Sequence, residues 1–433
     1  MAPPSQDLNR LIFRKLMPLL IAAYIIAFID RTNIGLAKTH LEADLGISAA
    51  AYGLGAGLFF LAYASFEVPS NLIMHRVGAR LWITRIMITW GLLSAAMAFV
   101  QGPASFYALR VLLGFAEAGL FPGVMLYLTY WFGREQRARA NGYFLIAVCI
   151  ANIVGAPLSG ALLGLDGLGG WHGWQWMFVL EGLPAVLLAF VVFKYLPNKP
   201  SDASWLTREQ AASLTARLEA EQQDGATASG THSFAGVLKD KVILLVILVY
   251  FTHQIAVYSL TYFLPSIIGT WGEMSDFTIG LLTALPWVAA AIGAFALPRF
   301  ADTPTRANRI LFGGLVSMAV GLVIAAVSSP VVALLGFCLA ASCFFVVQSI
   351  LFAVSASRLA GVALAGGLAL VNTLGILGGF LGPYVMGLLE SRTGSPLSGL
   401  WFVIALVTVG ALVSLALRPR ASLEELDTAE TSA

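Results

Sequence analysis

The sequence predicts an all-α membrane protein with twelve transmembrane helices in two six-helix bundles, on three observations. Hydrophobic residues are 58% of the chain and charged residues 11%, against roughly 25% charged in soluble domains. Such a chain cannot cover its apolar side chains with polar surface in water. Apolar stretches of the roughly 20 residues needed to cross a bilayer recur twelve times along the chain. One long polar stretch, 197–240, divides them six and six.

In chain order the spans fall at about 15–37, 50–74, 81–101, 104–132, 139–164, 174–196, 241–268, 277–298, 308–328, 331–356, 362–389 and 397–418. Arg10, Arg14 and Lys15 precede the first, which is long enough to span and has no small-residue cleavage site, so it reads as a helix that stays. Trp171, Trp174 and Trp176 mark one interface. The N-terminus, the even-to-odd loops and the C-terminus carry 21 of the 25 Lys and Arg. Lys38 and Arg392 lie on the other side, and Arg31 and Arg110 lie inside spans. That bias predicts both termini in the cytoplasm.

The domains read as 1–196, a six-helix bundle; 197–240, a cytoplasmic linker; 241–418, the second bundle; and 419–433, an acidic, disordered tail. In the linker, Thr207 and Gln210 make a capping box, and Leu206, Leu214 and Leu218 an apolar stripe, which predicts a surface helix. Glu221–Thr231 reads as disordered. Cys149, Cys338 and Cys343 lie in apolar segments as small hydrophobes, with no disulfide framework.

A charge at mid-membrane costs roughly 2.5–3.5 kcal/mol on insertion scales. Asp30-Arg31-Thr32-Asn33, near the outer end of the first span, places two together. Arg110 and Glu117 repeat the expense in the fourth span. Asp30 and Arg31, about 100° apart, face different neighbours, and Asn33 shares the face of Asp30. Arg110 and Glu117 are two turns apart, about 10 Å, so their partners lie on other helices. We expect Arg31 and Arg110 to pair with Glu117 and Asp30 in the empty protein. Protonation of Asp30 or Glu117 releases an arginine, and the freed guanidinium grips a substrate carboxylate bidentately. The plainer alternative is a static ion-pair network holding helices together.

Glu67 lies two turns from His75 and Arg76, so an interface or gating salt bridge is expected of it rather than substrate contact. A structural role is expected of Glu181. The loops after spans two and eight, His75-Arg76-Val77-Gly78-Ala79-Arg80 and Arg299-Phe300-Ala301-Asp302-Thr303-Pro304-Thr305-Arg306, echo each other, and Arg76, Arg80 and Asp302 are gating candidates. Such internal duplication is a feature of secondary transporters. The second half has no charge at mid-span. Its polar candidates are His253, Gln254, Tyr258, Gln348 and Asn372, with His253 favoured as a packing residue. Tyr24, Tyr63 and Tyr258 are candidates to line a cavity. Gly53, Gly55, Gly57, Gly119, Gly123, Gly375 and Gly379 suit close helix approach, and Pro122 and Pro157 are candidate kinks.

Together, twelve spans split six and six, Asp30-Arg31-Thr32-Asn33, Phe66-Glu67-Val68-Pro69-Ser70-Asn71, Arg110 with Glu117-Ala118-Gly119-Leu120-Phe121-Pro122-Gly123, Tyr130-Trp131-Phe132 and Glu181-Gly182-Leu183-Pro184 resemble the major facilitator superfamily. They are most similar to its anion:cation symporter branch of tartrate, sugar-acid, phthalate and hydroxyphenylacetate permeases. The resemblance covers about Arg10 to Arg418. It implies that Asn372, eleven residues before Pro383, lies at the substrate site. This chain has His75 where the superfamily usually has an acid, and Val148 where sugar-acid permeases have a glutamine, which argues against a galactonate-like substrate.

The expectation is a proton-coupled symporter that brings a small organic carboxylate, tartrate-like or aromatic, into the cytoplasm across a bacterial inner membrane. Arg31, Arg110, Tyr63, Asn372, Gln348 and Tyr258 would bind substrate. Its partners are the organic anion, protons and the bilayer, and a monomer is expected, with no nucleic acid. An exchanger, a uniporter and a carboxylate sensor are the alternatives. No cofactor, metal or enzyme activity is expected. The chain lacks Gly-x-x-x-x-Gly-Lys-Ser/Thr, His-Glu-x-x-His and Gly-x-Ser-x-Gly, the marks of ATP-driven transport, metalloproteases and serine hydrolases.

Overall fold

The computed structural model describes residues 6–227, 237, 239–359 and 362–417. The first half comprises α1 (Gln6–Thr32), α2 (Ile34–Leu45), α3 (Ala49–Val77), α4 (Ala79–Ala96), α5 (Pro103–Glu117), α6 (Leu120–Thr129), α7 (Arg134–Leu163) and α8 (Gly173–Tyr195). After the linker helix α9 (Arg208–Thr227), the second half comprises α10 (Lys241–Gly269), α11 (Asp276–Ala296), α12 (Pro304–Val327), α13 (Pro330–Ala341), α14 (Phe344–Arg358), α15 (Val362–Ile376), α16 (Gly378–Thr393) and α17 (Ser398–Ser414). Among the described residues, eleven helical segments are long and apolar enough to cross a membrane, and α17 is a shorter apolar helix of 17 residues.

Spans one, four, ten and eleven are each made of two consecutive helices. The fourth is broken at Gly119, whose φ of +91° suits glycine alone. A Cβ there would also strike Ser70. The Ser70 hydroxyl donates to the Ala118 carbonyl freed by the break, at 2.7 Å, and accepts from Trp82 Nε1 at 3.0 Å. Pro122 follows in the first turn of α6, where a missing N–H costs little. Pro157 lies inside α7, which continues past it as one helix.

The first span is longer than expected. Its helical run, Asp7–Leu45, extends past the expected end at residue 37. Asp30 therefore lies about 22 Å from the far end of the run, near its middle rather than near its outer end. The helical linker also exceeds expectation. Arg217 pairs with Glu221 one turn on, at 3.0 Å, and α9 continues through Thr227. Helix thus replaces the disorder expected for 221–227, while 228–231 and the tail 419–433 lie outside the described residues. Leu214 and Leu218 are buried and Trp205 stacks on Trp131, 5.6 Å between centroids, so α9 is docked by its apolar stripe.

The two halves meet along α3 against α16, α7 against α11 and α2 against α10. The first two seams are backbone-close: a Cβ at Gly53 would strike the Pro383 carbonyl, and one at Gly280 the Ala156 carbonyl. These seams lie toward the end of the bundle opposite the chain termini, the far end. Bonds between the halves concentrate there too. Lys38 Nζ meets Glu390 Oε1 at 2.7 Å, His40 Nε2 meets Asp276 Oδ1 at 3.2 Å, and Ala50 N donates to Ser391 Oγ at 2.8 Å. Lys38 is 1% exposed and lies 5.9 Å from the Tyr52 ring and 5.5 Å from that of Phe263. It is a buried seal and not the loop charge its sequence position suggests. Nearer the termini, α7 and α11 part around a cavity of about 310 Å³ lined by Arg139, Tyr143, Cys149 and Phe295.

Candidate substrate and proton site

Arg31, in the last turn of α1, forms an ion pair with Glu117, the last residue of α5. The pair therefore ties the interruption in span one to the break in span four. Both residues are buried, at 6% and 2% exposed. The guanidinium lies among rings, 4.8 Å from the centroid of Phe28, 5.2 Å from Tyr63 and 5.3 Å from Phe59. Tyr258 of the second half lies tilted against Phe60, 4.2 Å between ring centroids. Arg31 Nε is buried with no hydrogen-bond partner.

Arg110 also lies over the Phe59 ring, 4.8 Å from its centroid. Its hydrogen bonds run to the Gly55 and Ala56 carbonyls, both at a long 3.4 Å. No carboxylate pairs with it among the described residues. The expectation of two arginine–acid pairs thus holds for Arg31 with Glu117, and the Arg110–Asp30 pairing is not formed. Asp30 instead accepts from Trp90 Nε1 at 2.6 Å and from Ser94 Oγ, both on α4. The 100° between successive helix positions sends Asp30 to α4 and Arg31 to α5.

Glu67 is 2% exposed and accepts from Asn372 Nδ2 at 3.0 Å and Thr373 Oγ1 at 3.3 Å. It does join the interface, but through neutral donors of the second half and not through His75 or Arg76. Those two point to solvent, away from its buried carboxylate. Asn372 is half-buried. Gln348 donates to the Tyr250 hydroxyl at 3.2 Å. His253 is fully buried, meeting the Phe344 carbonyl at 2.9 Å and Gln254 Oε1 at 3.1 Å, as a packing histidine does. Arg80 lies 5.2 Å from the Phe193 ring of its own half. Asp302 pairs with Arg306 one turn on, whose guanidinium holds the Asp302 carboxyl below its usual range. Neither joins the halves in this conformation.

Glu181, expected to be structural, accepts from Asn33 Nδ2 at 2.8 Å and Ser159 Oγ at 2.7 Å. Sequence reasoning missed Phe59 beside both guanidiniums, Trp90 and Ser94 as hosts of Asp30, and the Lys38–Glu390 seal. The spacing of Phe59 along α3 carries no signal of its own. A lysine within 12 residues of Asp30-Arg31 was a visible one.

The family model described as Major Facilitator Superfamily matches residues 20–383. The chain belongs to that superfamily. It is therefore a multi-pass secondary transporter, in a family of transporters and not of enzymes. The chain is 41% identical over 414 residues to a protein of Acinetobacter baumannii named "Quinolone resistance transporter", covering 95% of this chain and 94% of the other. It is 40% identical over 421 residues to an Agrobacterium vitis protein provisionally named a tartrate transporter, covering 95% and 96%. It is 37% identical over 416 residues to the Escherichia coli inner membrane transport protein RhmT, covering 96% of each. Among solved structures, a D-xylose-proton symporter superposes with a TM-score of 0.75 at 12% identity, covering 94% of this chain and 98% of the other. A bacterial homologue of the lysosomal transporter Spinster gives 0.74 at 17%, covering 96% and 97%. Both superpositions place this chain in the superfamily's fold.

Proposed function

We propose that the protein is a proton-coupled symporter that carries a small organic carboxylate into the cytoplasm by alternating access. The observation that carries this reading is the buried Arg31–Glu117 pair beside Arg110, which has no acid of its own. A substrate carboxylate supplies Arg110 with the anion it lacks. Protonation of Glu117 frees Arg31 to join the grip, and a bidentate arginine–carboxylate contact is strong and geometrically selective. Asp30 is the second proton site. Tyr63 and Tyr258 flank the anion, and Asn372 and Gln348 face it from the second half.

Orientation follows the Lys and Arg bias, with both termini in the cytoplasm of a bacterial inner membrane. The sealed far end is then periplasmic. Glu67, Arg76, Arg80 and Asp302 act at the cytoplasmic gate. The rings of Phe28, Phe59 and Tyr63 around Arg31 favour an aromatic carboxylate over a sugar acid. The relative named for quinolone resistance fits that preference, because quinolones are aromatic acids.

The test is uptake into proteoliposomes under an imposed pH gradient, with tartrate, phthalate and hydroxyphenylacetate as candidate substrates. A symporter accumulates substrate above its outside concentration when the outside is acid. Equilibration without accumulation makes the protein an exchanger or uniporter.

A further inference from the structure

Glu181 has no part in the transport scheme above, yet it is 4% exposed in the middle of the first half. Its two oxygens accept from neutral donors only, Asn33 Nδ2 on the first span and Ser159 Oγ on α7. The charged group that acts on it is Asp30, another acid, itself held by the neutral donors Trp90 and Ser94. Of the elements packed against α8, α1 contributes Asp30 and Arg31, the latter paired with Glu117, while the arginines Arg80 and Arg85 of α4 lie against Phe193 and Trp82 and Arg139 of α7 lies against Phe13. On α2, Lys38 and His40 are engaged with Glu390 and Asp276. Among the described residues neither carboxylate has a cation within ion-pair distance, although Arg110 acts on Asp30 from farther off, and a buried charge without a direct partner is costly.

A second observation concerns Asn33. It is 1% exposed, and its Oδ1 is buried with no hydrogen-bond partner while Nδ2 serves Glu181. An amide offers a donor at one end and an acceptor at the other, and its two orientations are nearly isosteric. Facing a carboxylate, Asn33 donates. Turned over, the orphaned Oδ1 accepts from a protonated carboxyl. We propose that Glu181 is a further proton-binding site of the transport cycle and that Asn33 reads its protonation state. A proton from water adds to one Glu181 oxygen, its charge goes from −1 to 0, and the Asn33 amide turns to accept the new O–H.

The consequence is mechanical. Asn33 sits between α1, which carries Asp30 and Arg31, and α2, which carries Lys38 and His40. Turning the Asn33 amide changes the hydrogen bonding where the ion-pair centre joins the far-end seal. A structural acid in this place would hold one bonding pattern at every pH.

This inference rests on the proton-coupled reading for its role in transport, but its test uses the proton alone and no substrate. The full chain is reconstituted in lipid, and acid-minus-alkaline infrared difference spectra are recorded for wild type, Glu181→Gln and Asn33→Ala. Wild type should show a protonated-carboxyl C=O band, and Glu181→Gln should lose one carboxyl's share of it. Asn33→Ala should keep that share at a shifted frequency, since the carboxyl loses its partner. Protection from hydrogen exchange over α2, taken relative to the intrinsic rate at each pH, should change with pH in wild type and not in Glu181→Gln. Identical difference spectra in wild type and Glu181→Gln overturn the proton site, whatever the uptake assay finds. An unshifted band in Asn33→Ala, a variant that keeps the acid, overturns the role of the amide. Failure of wild type to accumulate substrate counts against symport and leaves the spectra to decide Glu181.

Discussion

Removing the charge of Glu117 leaves Arg31 among the rings of Phe28, Phe59 and Tyr63 with no counter-ion, and breaking one side of a buried pair costs about 3–5 kcal/mol. Asp30 has only neutral partners, so Asp30→Asn removes a carboxylate without stranding a cation. We predict that Glu117→Gln and Asp30→Asn both lose pH-driven accumulation in proteoliposomes, and that Glu117→Gln is the less stable of the two in detergent melting curves. Full accumulation in both would remove the acids from coupling. Asn372 is bonded to Glu67, so its truncation takes away the proposed selectivity group and strips a buried acid of one donor. Asn372→Ala should weaken binding of the native acid more than that of an analogue lacking the recognised substituent. An equal loss in competition curves makes it a packing amide. That Asp30, Arg31, Arg110 and Glu117 would be buried within the spans was legible in the sequence, because charge in an apolar span is conspicuous. Who pairs with whom was not, since Asp30 meets Trp90 and Arg110 meets the Gly55 carbonyl through the packing of separate helices.

The apolar spans, eleven long enough to cross a bilayer among the described residues and a shorter twelfth, were legible from hydropathy, because every span must satisfy its own backbone in lipid. The interruptions in spans one, four, ten and eleven were not. Prolines were the visible candidates, yet Pro157 lies in a continuous helix, and the break in span four falls at Gly119 with its support from Ser70 on another element. A left-handed backbone costs an L-residue roughly 1–2 kcal/mol, and a Cβ at Gly119 also meets Ser70. Gly119→Ala should therefore lower the melting temperature and, by shifting the end of α5, misplace Glu117. Weaker substrate protection against unfolding than in wild type is the expected reading. Native melting and native protection would show that the break tolerates a side chain.

Across the whole molecule, the far end is held by glycine-lined seams and by the Lys38–Glu390 and His40–Asp276 contacts. Reversing one charge, Lys38→Glu, should open that end, and adding Glu390→Lys should restore closure. The measurement is thiol labelling of a cysteine placed at Ala56, buried below the seal. Labelling should rise in the single reversal and return toward the parent level in the double. No change in the single variant would leave the glycine seams as the whole closure. Phe59, with both guanidiniums within 5.3 Å of its centroid, has a consequence for how voltage acts on the transporter. In the proposed cycle the negative charge of a bound monocarboxylate is matched by the proton that Glu117 takes up, so the centre of Arg31, Arg110 and Glu117 carries the same charge empty and loaded. Membrane potential should then leave the accumulation of a monocarboxylate unchanged when one proton accompanies it, and a substrate bearing two negative charges should need a second proton, with Asp30 as its proposed site, to travel with the same indifference.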